Sequence, residues 1–158
     1  MALVIRQFAA FDAEAWLDVH RAAVRGIAAS DYSPALIDAW APPVSARMVA
    51  CLRADRSGTR IVAELDGAMA GIGELAPENS ELKACYVAPG FARRGVGKAL
   101  VAELEALARN AGLAALSLDS SVTAEPFYLH LGYSVTGRGT HVLHTGEPMA
   151  CVFMRKSL

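Results

Sequence analysis

The chain has 158 residues, a formal net charge of -1, and a composition that is 54% hydrophobic and 20% charged. That length buries one core and is short for two, so a single domain over residues 1–158 with one active site is expected. Near-neutral charge and only three lysines, Lys83, Lys98 and Lys156, argue against a nucleic-acid partner, and no apolar run approaches the roughly 20 residues of a membrane span. The opening segment is interrupted by Arg6 and Asp12, unlike a signal peptide, and the expected location is cytoplasmic. Cys51, Cys85 and Cys151 are odd in number and widely spaced, with no C-x-x-C pair, which predicts reduced, buried thiols rather than a disulfide frame or a zinc site.

In chain order the pattern predicts a mixed α/β fold. Ala2 to Gln7 suits an opening strand, and Phe11 to Ile27 carries Trp16, Val19, Ala23 and Ile27 at helical spacing. Ser33 followed by Pro34 starts a second helix that runs to about Trp40, where Pro42-Pro43 ends the segment; Ser45 to Arg53 makes a third. Ile61 to Leu65, Asp66-Gly67 and Ala68 to Leu75 read as a hairpin, because Asp-Gly tolerates the positive φ of a two-residue turn. Leu82 to Ala88 is an apolar strand stopped by Pro89-Gly90. Gly95 to Ala111 places Val96, Leu100, Leu104, Leu107 and Ala111 on one helical stripe that Gly112 terminates. Leu113 to Asp119 returns as a strand, and Thr123 caps a short helix that runs to Leu131. Strands near Tyr133 to Thr140 and Met149 to Lys156 complete the sheet.

The start of the long helix is electrostatically odd. A helix N-terminus presents free N–H groups and partial positive charge, so it usually carries a Ser, Thr, Asp or Asn cap and acids in its first turn. Here the sequence supplies Arg93, Arg94, Gly95, Gly97 and Lys98 instead, which is unfavourable unless a bound anion takes up the N–H groups and offsets the charge. Taken alone, such a short glycine pattern is more often a plain turn; the missing cap and the three cations reverse that weighting. A Walker-type site is excluded, because Gly95 is followed by Val96 and Lys98 by Ala99. A dinucleotide turn would follow the first strand and place Gly or Ala where Leu100 stands.

Ala92-Arg93-Arg94-Gly95-Val96-Gly97 resembles the Q/R-x-x-G-x-G/A acetyl-CoA signature of the GNAT N-acetyltransferase superfamily, with Ala92 departing at its first position. Tyr86 to Pro89 and the block Ala124 to Tyr133 resemble further family landmarks, and Ser121 stands where many members have Asn. The stretch Arg21 to Trp40 is similar to the YafP-like branch. The resemblance implies a mixed, mostly antiparallel sheet flanked by helices, on which the strand ending at Val87 splays from its neighbour. It also implies acetyl-CoA as cosubstrate, with the Val87 amide facing the pantetheine arm, pyrophosphate on the amides of Arg94, Gly95, Val96, Gly97, Lys98 and Ala99, and Ser121 nearby.

Acetyl transfer needs a neutral amine, a proton acceptor, donors for the developing oxyanion and an acid for the leaving thiolate. Tyr128 is the expected acid, since a phenol stays protonated at neutral pH; the resemblance outweighs a pure packing role beside Phe127. Glu81 ranks above Glu74 as base, and Asp119, at the end of the strand after the long helix, is a further candidate, though most such acids are solvated strand residues. His141 and His144 stand three apart in a strand and so face opposite sides, which favours surface or packing roles over a metal. By resemblance the acceptor, a small-molecule or peptide amine, meets the early helices and the loop between the last strands; Tyr32, Trp40, Asp31 and Asp38 make the helical region aromatic and acidic, though taken singly Trp40 suits the core and the aspartates suit solvent. The rival to the enzyme is a noncatalytic acyl-CoA-binding or regulatory module. A homodimer is left open by the sequence, and no metal is expected.

Overall fold

In the computed structural model, which describes residues 2–158, apolar alternation and hairpin turns assemble one seven-stranded sheet. Its strands are β1 (Leu3–Gln7), β2 (Thr59–Leu65), β3 (Ala68–Ala76), β4 (Glu81–Val87), β5 (Ala115–Ser121), β6 (Ser134–Val142) and β7 (Pro148–Ser157), ordered β1-β2-β3-β4-β5-β7-β6. Every neighbouring pair is antiparallel except β4 with β5. This is the mixed, mostly antiparallel sheet the sequence predicts. Asp66 and Gly67 both take positive φ, 53° and 83°, as the two-residue β2–β3 turn requires.

Helices α1 (Ala13–Ala23), α2 (Pro34–Trp40) and α3 (Ala46–Ala54) precede β2; α4 (Val96–Asn110) and α5 (Glu125–His130) follow β4 and β5. Both faces of the central strands are covered, and their alternation divides the core. Ile61, Ala63 and Leu65 pack with Leu100 and Leu104 of α4, while Val62 and Ile72 pack with Trp16 and Val19 of α1. Gly71 lets α4 approach β3: a Cβ there would lie 2.8 Å from Leu100 Cδ1 and 3.1 Å from the Tyr86 carbonyl oxygen.

Two helical expectations are corrected. The segment predicted as one helix over Phe11 to Ile27 comprises a 3-10 turn at Ala10–Asp12, α1, and a π-helical turn at Val24–Ala28. The wider turn advances the apolar stripe, so Val24 and Ala28 are buried whereas Ile27 is 42% exposed. The short helix starts at Glu125, not Thr123: the Thr123 hydroxyl donates to Asp31 Oδ2 at 2.6 Å, and Ser121 Oγ accepts from the Ala124 amide at 3.1 Å. The cysteines are all free, but Cys51 is exposed and Cys85 half-buried, so of the three only Cys151 is buried as expected.

Candidate active site

β4 hydrogen-bonds β3 along its length, yet meets β5 only at Glu81 opposite Ser117. Beyond that point the parallel strands part. The Ala88 amide donates to Ala70 of β3, so by alternation the Cys85 and Val87 backbone groups turn toward the gap. The gap opens into a cleft of about 610 Å³ lined on one side by Cys85, Val87, Gly95, Val96, Gly97 and Lys98, and on the other by Ser120, Ser121, Phe127 and Tyr128.

The helix that opens on this cleft is uncapped. Gly95 precedes α4 with φ 82°, no side chain accepts from its first amides, and no acid lies in its first turn. Arg93 also takes a left-handed φ of 61° and lines the cleft, while the Arg94 guanidinium lies over the Phe91 ring, 5.9 Å from its centroid. At Gly97 an added Cβ would sit 3.1 Å from Phe127 ring carbons and 3.5 Å from Val87 Cγ2, so glycine keeps the cleft floor open. Free amides, cations and a floor without side chains fit a phosphate-bearing arm.

Tyr128 is 6% exposed, and its ring packs edge-on against Phe127 and Tyr133. Burial is the main cause that raises its phenol well above the ordinary value, so it stays protonated through neutral pH. No group among the described residues hydrogen-bonds its hydroxyl, which leaves that proton available in the cleft. Burial likewise holds the Cys85 thiol up at about 12, leaving it neutral beside Gly97.

The two nominated bases separate. Glu81 lines the cleft, and its carboxyl is raised first by burial and then by the charge of Asp119. Glu74 lies outside that lining: its carboxylate pairs with Arg60 at 3.2 Å and Lys83 at 3.8 Å, which gives it a structural ion pair in place of the expected proton-accepting role. Ala99 and Arg94 also lie outside the lining residues, and the Ala99 amide, expected on pyrophosphate, instead donates to the Gly95 carbonyl at 3.0 Å as the first bond of α4. Of the acceptor-side pair, Trp40 lines the cleft and Tyr32 does not. The Tyr32 hydroxyl is committed to the Ala150 carbonyl at 2.7 Å and the Val122 amide at 2.9 Å, and its ring meets Trp40 edge-on. Asp38 pairs with Arg25 at 2.6 Å, Asp31 accepts from Thr123, and neither carboxylate lines the cleft.

Several cleft residues escape a sequence reading. Tyr86, Met149, Cys151 and His141 reach the cleft from β4, β7 and β6, together with Ile27 from the π-helical turn, and they join Asp119 of β5, which the sequence offers as a base candidate. His141 is the clearest correction: it lines the cleft with Nδ1 3.1 Å from Asp119 Oδ2, whereas β6 ends at Val142, so His144 is not its strand partner. No local signal marks this, because Asp119 and His141 are joined only by the β5-β7-β6 pairing. Among the described residues no group of three or more His, Cys, Asp or Glu could hold a metal ion, and no helix is long and apolar enough to cross a membrane.

A splayed parallel pair with an uncapped helix start at its opening defines an acyl-CoA N-acyltransferase fold. The chain belongs to the GNAT acetyltransferase family, whose acetyltransferase (GNAT) domain model matches residues 28–150. Among solved structures it is similar to the GCN5-related N-acetyltransferase of Rhodopseudomonas palustris, also described as a class-II aminotransferase, with 29% identity, a TM-score of 0.89, and coverage of 100% of this chain and 97% of that one. The PaiA N-acetyltransferase of Thermoplasma acidophilum, in complex with coenzyme A, has 19% identity and a TM-score of 0.73 over 100% of both chains. YncA of Salmonella typhimurium, a putative acetyltransferase with acetyl-CoA, has 22% identity and a TM-score of 0.70 over 100% of this chain and 95% of that one. No curated protein sequence matches this chain.

Proposed function

We propose that this chain, as one domain over residues 1–158, is an acetyl-CoA-dependent N-acetyltransferase that passes the acetyl group to a primary amine by direct attack within a ternary complex. The observation that carries this reading is the uncapped, cation-flanked start of α4 at the mouth of the parted β4 and β5. The amides of Gly95, Val96, Gly97 and Lys98, with Arg93 and Arg94, would hold pyrophosphate, and the Val87 backbone and Ser121 would meet the arm. Bound acetyl-CoA supplies the thioester to be attacked. That two similar folds hold coenzyme A or acetyl-CoA supports the assignment.

Tyr128 keeps its proton at neutral pH and presents it to the sulfur as the acid. Glu81, on the acceptor side, supplies negative charge for an ammonium, and Trp40 with Tyr86 supplies an aromatic wall, 6.3 Å between ring centroids. An amine on a small molecule or a peptide fits this side. The reading uses no metal, places the enzyme in the cytoplasm and involves neither nucleic acid nor membrane; a homodimer is compatible with it. Within the family the similarity over Arg21 to Trp40 supports a YafP-like placement.

Calorimetric titration of acetyl-CoA into wild type and Gly97→Asp tests the anion site. Wild type is expected to bind, and the variant to lose binding, since its carboxylate meets Phe127 and repels phosphate. A folded wild type that does not bind overturns the proposal. Coenzyme A release with an amine panel tests transfer, and Tyr128→Phe is expected to slow it about 10²-fold or more while acetyl-CoA affinity stays near wild type. Binding without release for any amine points instead to a noncatalytic acyl-CoA-binding module.

A further inference from the structure

We infer that His141, oriented by Asp119, is the group that takes the proton from the acceptor's ammonium. The inference rests on the transferase reading above and assigns it a proton acceptor different from Glu81. Three strands bring the parts together: Glu81 on β4, Asp119 on β5 and His141 on β6 all line the same cleft.

His141 Nδ1 lies 3.1 Å from Asp119 Oδ2. An ionised carboxylate can only accept, so Nδ1 carries the hydrogen and Nε2 is left with its lone pair. The ring is half exposed, which keeps its charged form solvated once a proton arrives. The charged and titratable neighbours of this cluster are Asp119, Glu81, Lys83 and Glu74, with the Cys151 thiol beside Asp119. With Glu74 taken up by Arg60, the remaining two carboxylates against one ammonium of Lys83 leave the cluster net negative, which favours an incoming ammonium.

Whereas Asp119 orients His141, Glu81 has no side-chain hydrogen bond among the described residues to orient it. It sits at the root of the gap, at the point where β4 still pairs with β5 opposite Ser117, whereas His141 stands near the end of the edge strand β6, opposite Met149. Glu81 therefore serves as counter-charge for the ammonium.

The step balances. The ammonium gives one proton to His141 Nε2, and the neutral nitrogen attacks the thioester carbonyl carbon. The C–N bond forms and the C–S bond breaks. The nitrogen sheds its second proton, which replaces the one Tyr128 gives to the departing sulfur, and His141 releases its own to solvent. Ammonium and thioester thus become amide, thiol and one free proton.

Three variants, His141→Gln, Asp119→Asn and Glu81→Gln, each checked for acetyl-CoA binding by calorimetry, test this on the amine that wild type acetylates. His141→Gln is expected to lower kcat/KM about 10²-fold or more with acetyl-CoA affinity unchanged, and Asp119→Asn to lower it less. In wild type kcat/KM is expected to fall toward acid pH; in His141→Gln that limb is expected to move upward, toward the ionisation of the free amine, because only amine already neutral can then attack. Added imidazole is expected to restore rate to His141→Ala, which a merely structural histidine would not allow. A His141→Gln enzyme with wild-type rate and an unmoved acid limb overturns the inference and leaves the transferase reading standing; loss of the limb in Glu81→Gln alone would assign the proton to Glu81. Wild type that binds acetyl-CoA but transfers nothing overturns the transferase reading, and this inference with it.

Discussion

The Tyr32 hydroxyl donates to the Ala150 carbonyl and accepts from the Val122 amide, so one phenol joins the loop before α2 to β7 and to the turn that carries Ser121. Tyr32→Phe removes both bonds and leaves a part-buried amide unpaired, with water able to reach the more exposed carbonyl. The expected cost is about 1 kcal/mol, measured by urea unfolding. Buried charge follows the same pairing rule. Glu105 of α4, 7% exposed, accepts from Lys156 at 2.8 Å and from the Tyr133 hydroxyl at 3.1 Å. Asp12, 3% exposed, is held by Arg6 and by the Ala9 amide, each at 2.8 Å. Neither acid stands out in the sequence, since its partners lie on distant elements or depend on a turn that has yet to form. Tyr128 and Trp40, in contrast, were legible, because aromatic residues in recognisable blocks announce themselves without their neighbours.

Elements were legible wherever a local rule decides them. Ser33 and Ser45 cap α2 and α3 by accepting from Leu36 and Met48, each at 3.2 Å, as short-range chemistry predicts. The stripe of α4 buries Val96, Leu100 and Leu104 as its period requires, but it continues through Val101 and Ala108, leaving Leu107 half-buried and Ala111 exposed. Where elements press together, periodicity is silent. The π-helical turn after α1 coincides with Gly26, whose absent side chain admits Pro89: an added Cβ there would lie 2.5 Å from Pro89 Cγ. Gly71 has the same meaning between β3 and α4. Gly71→Ala is expected to destabilise by about 1–3 kcal/mol, because its methyl would meet Leu100 Cδ1 at 2.8 Å and Val96 Cγ1 at 2.9 Å. A shift in the urea midpoint at constant slope checks this. An unchanged midpoint would show that α4 can withdraw from the sheet at little cost.

Across the whole molecule, buried titratable groups limit stability from both sides of neutrality. His20, packed against Tyr86 at 4.7 Å and Trp40 at 6.4 Å, is lowered to about 4 by burial. Its folded value lies below the unfolded one, so its contribution is complete above about pH 6.5 and is lost as pH falls toward 4, where only the unfolded chain charges freely. Asp12, lowered by its bonds to Arg6, adds a loss below the ordinary carboxylate range. On the alkaline side burial raises Cys85 and Tyr86, each to about 12. Their folded values lie above the unfolded ones, so stability holds below about pH 9 and declines as pH rises toward 12. Urea unfolding at a series of pH values is expected to give a plateau between these limits. His20→Gln should flatten the limb between about 6.5 and 4, and an unaltered limb would exclude His20 as its source.

By itself the sequence determined the order of elements, the two-residue hairpin, the main helical stripe and the helix start that lacks a cap and carries cations. Each follows from chemistry among residues a few positions apart. Only the tertiary structure decided that Glu74 is engaged by Arg60, that Tyr32 is a tie rather than a cleft residue, and that His141 meets Asp119 inside the cleft. Those outcomes depend on which strands become neighbours and in what register. Strand neighbours here bring together residues as distant as Glu81 and His141, and no local period records that encounter.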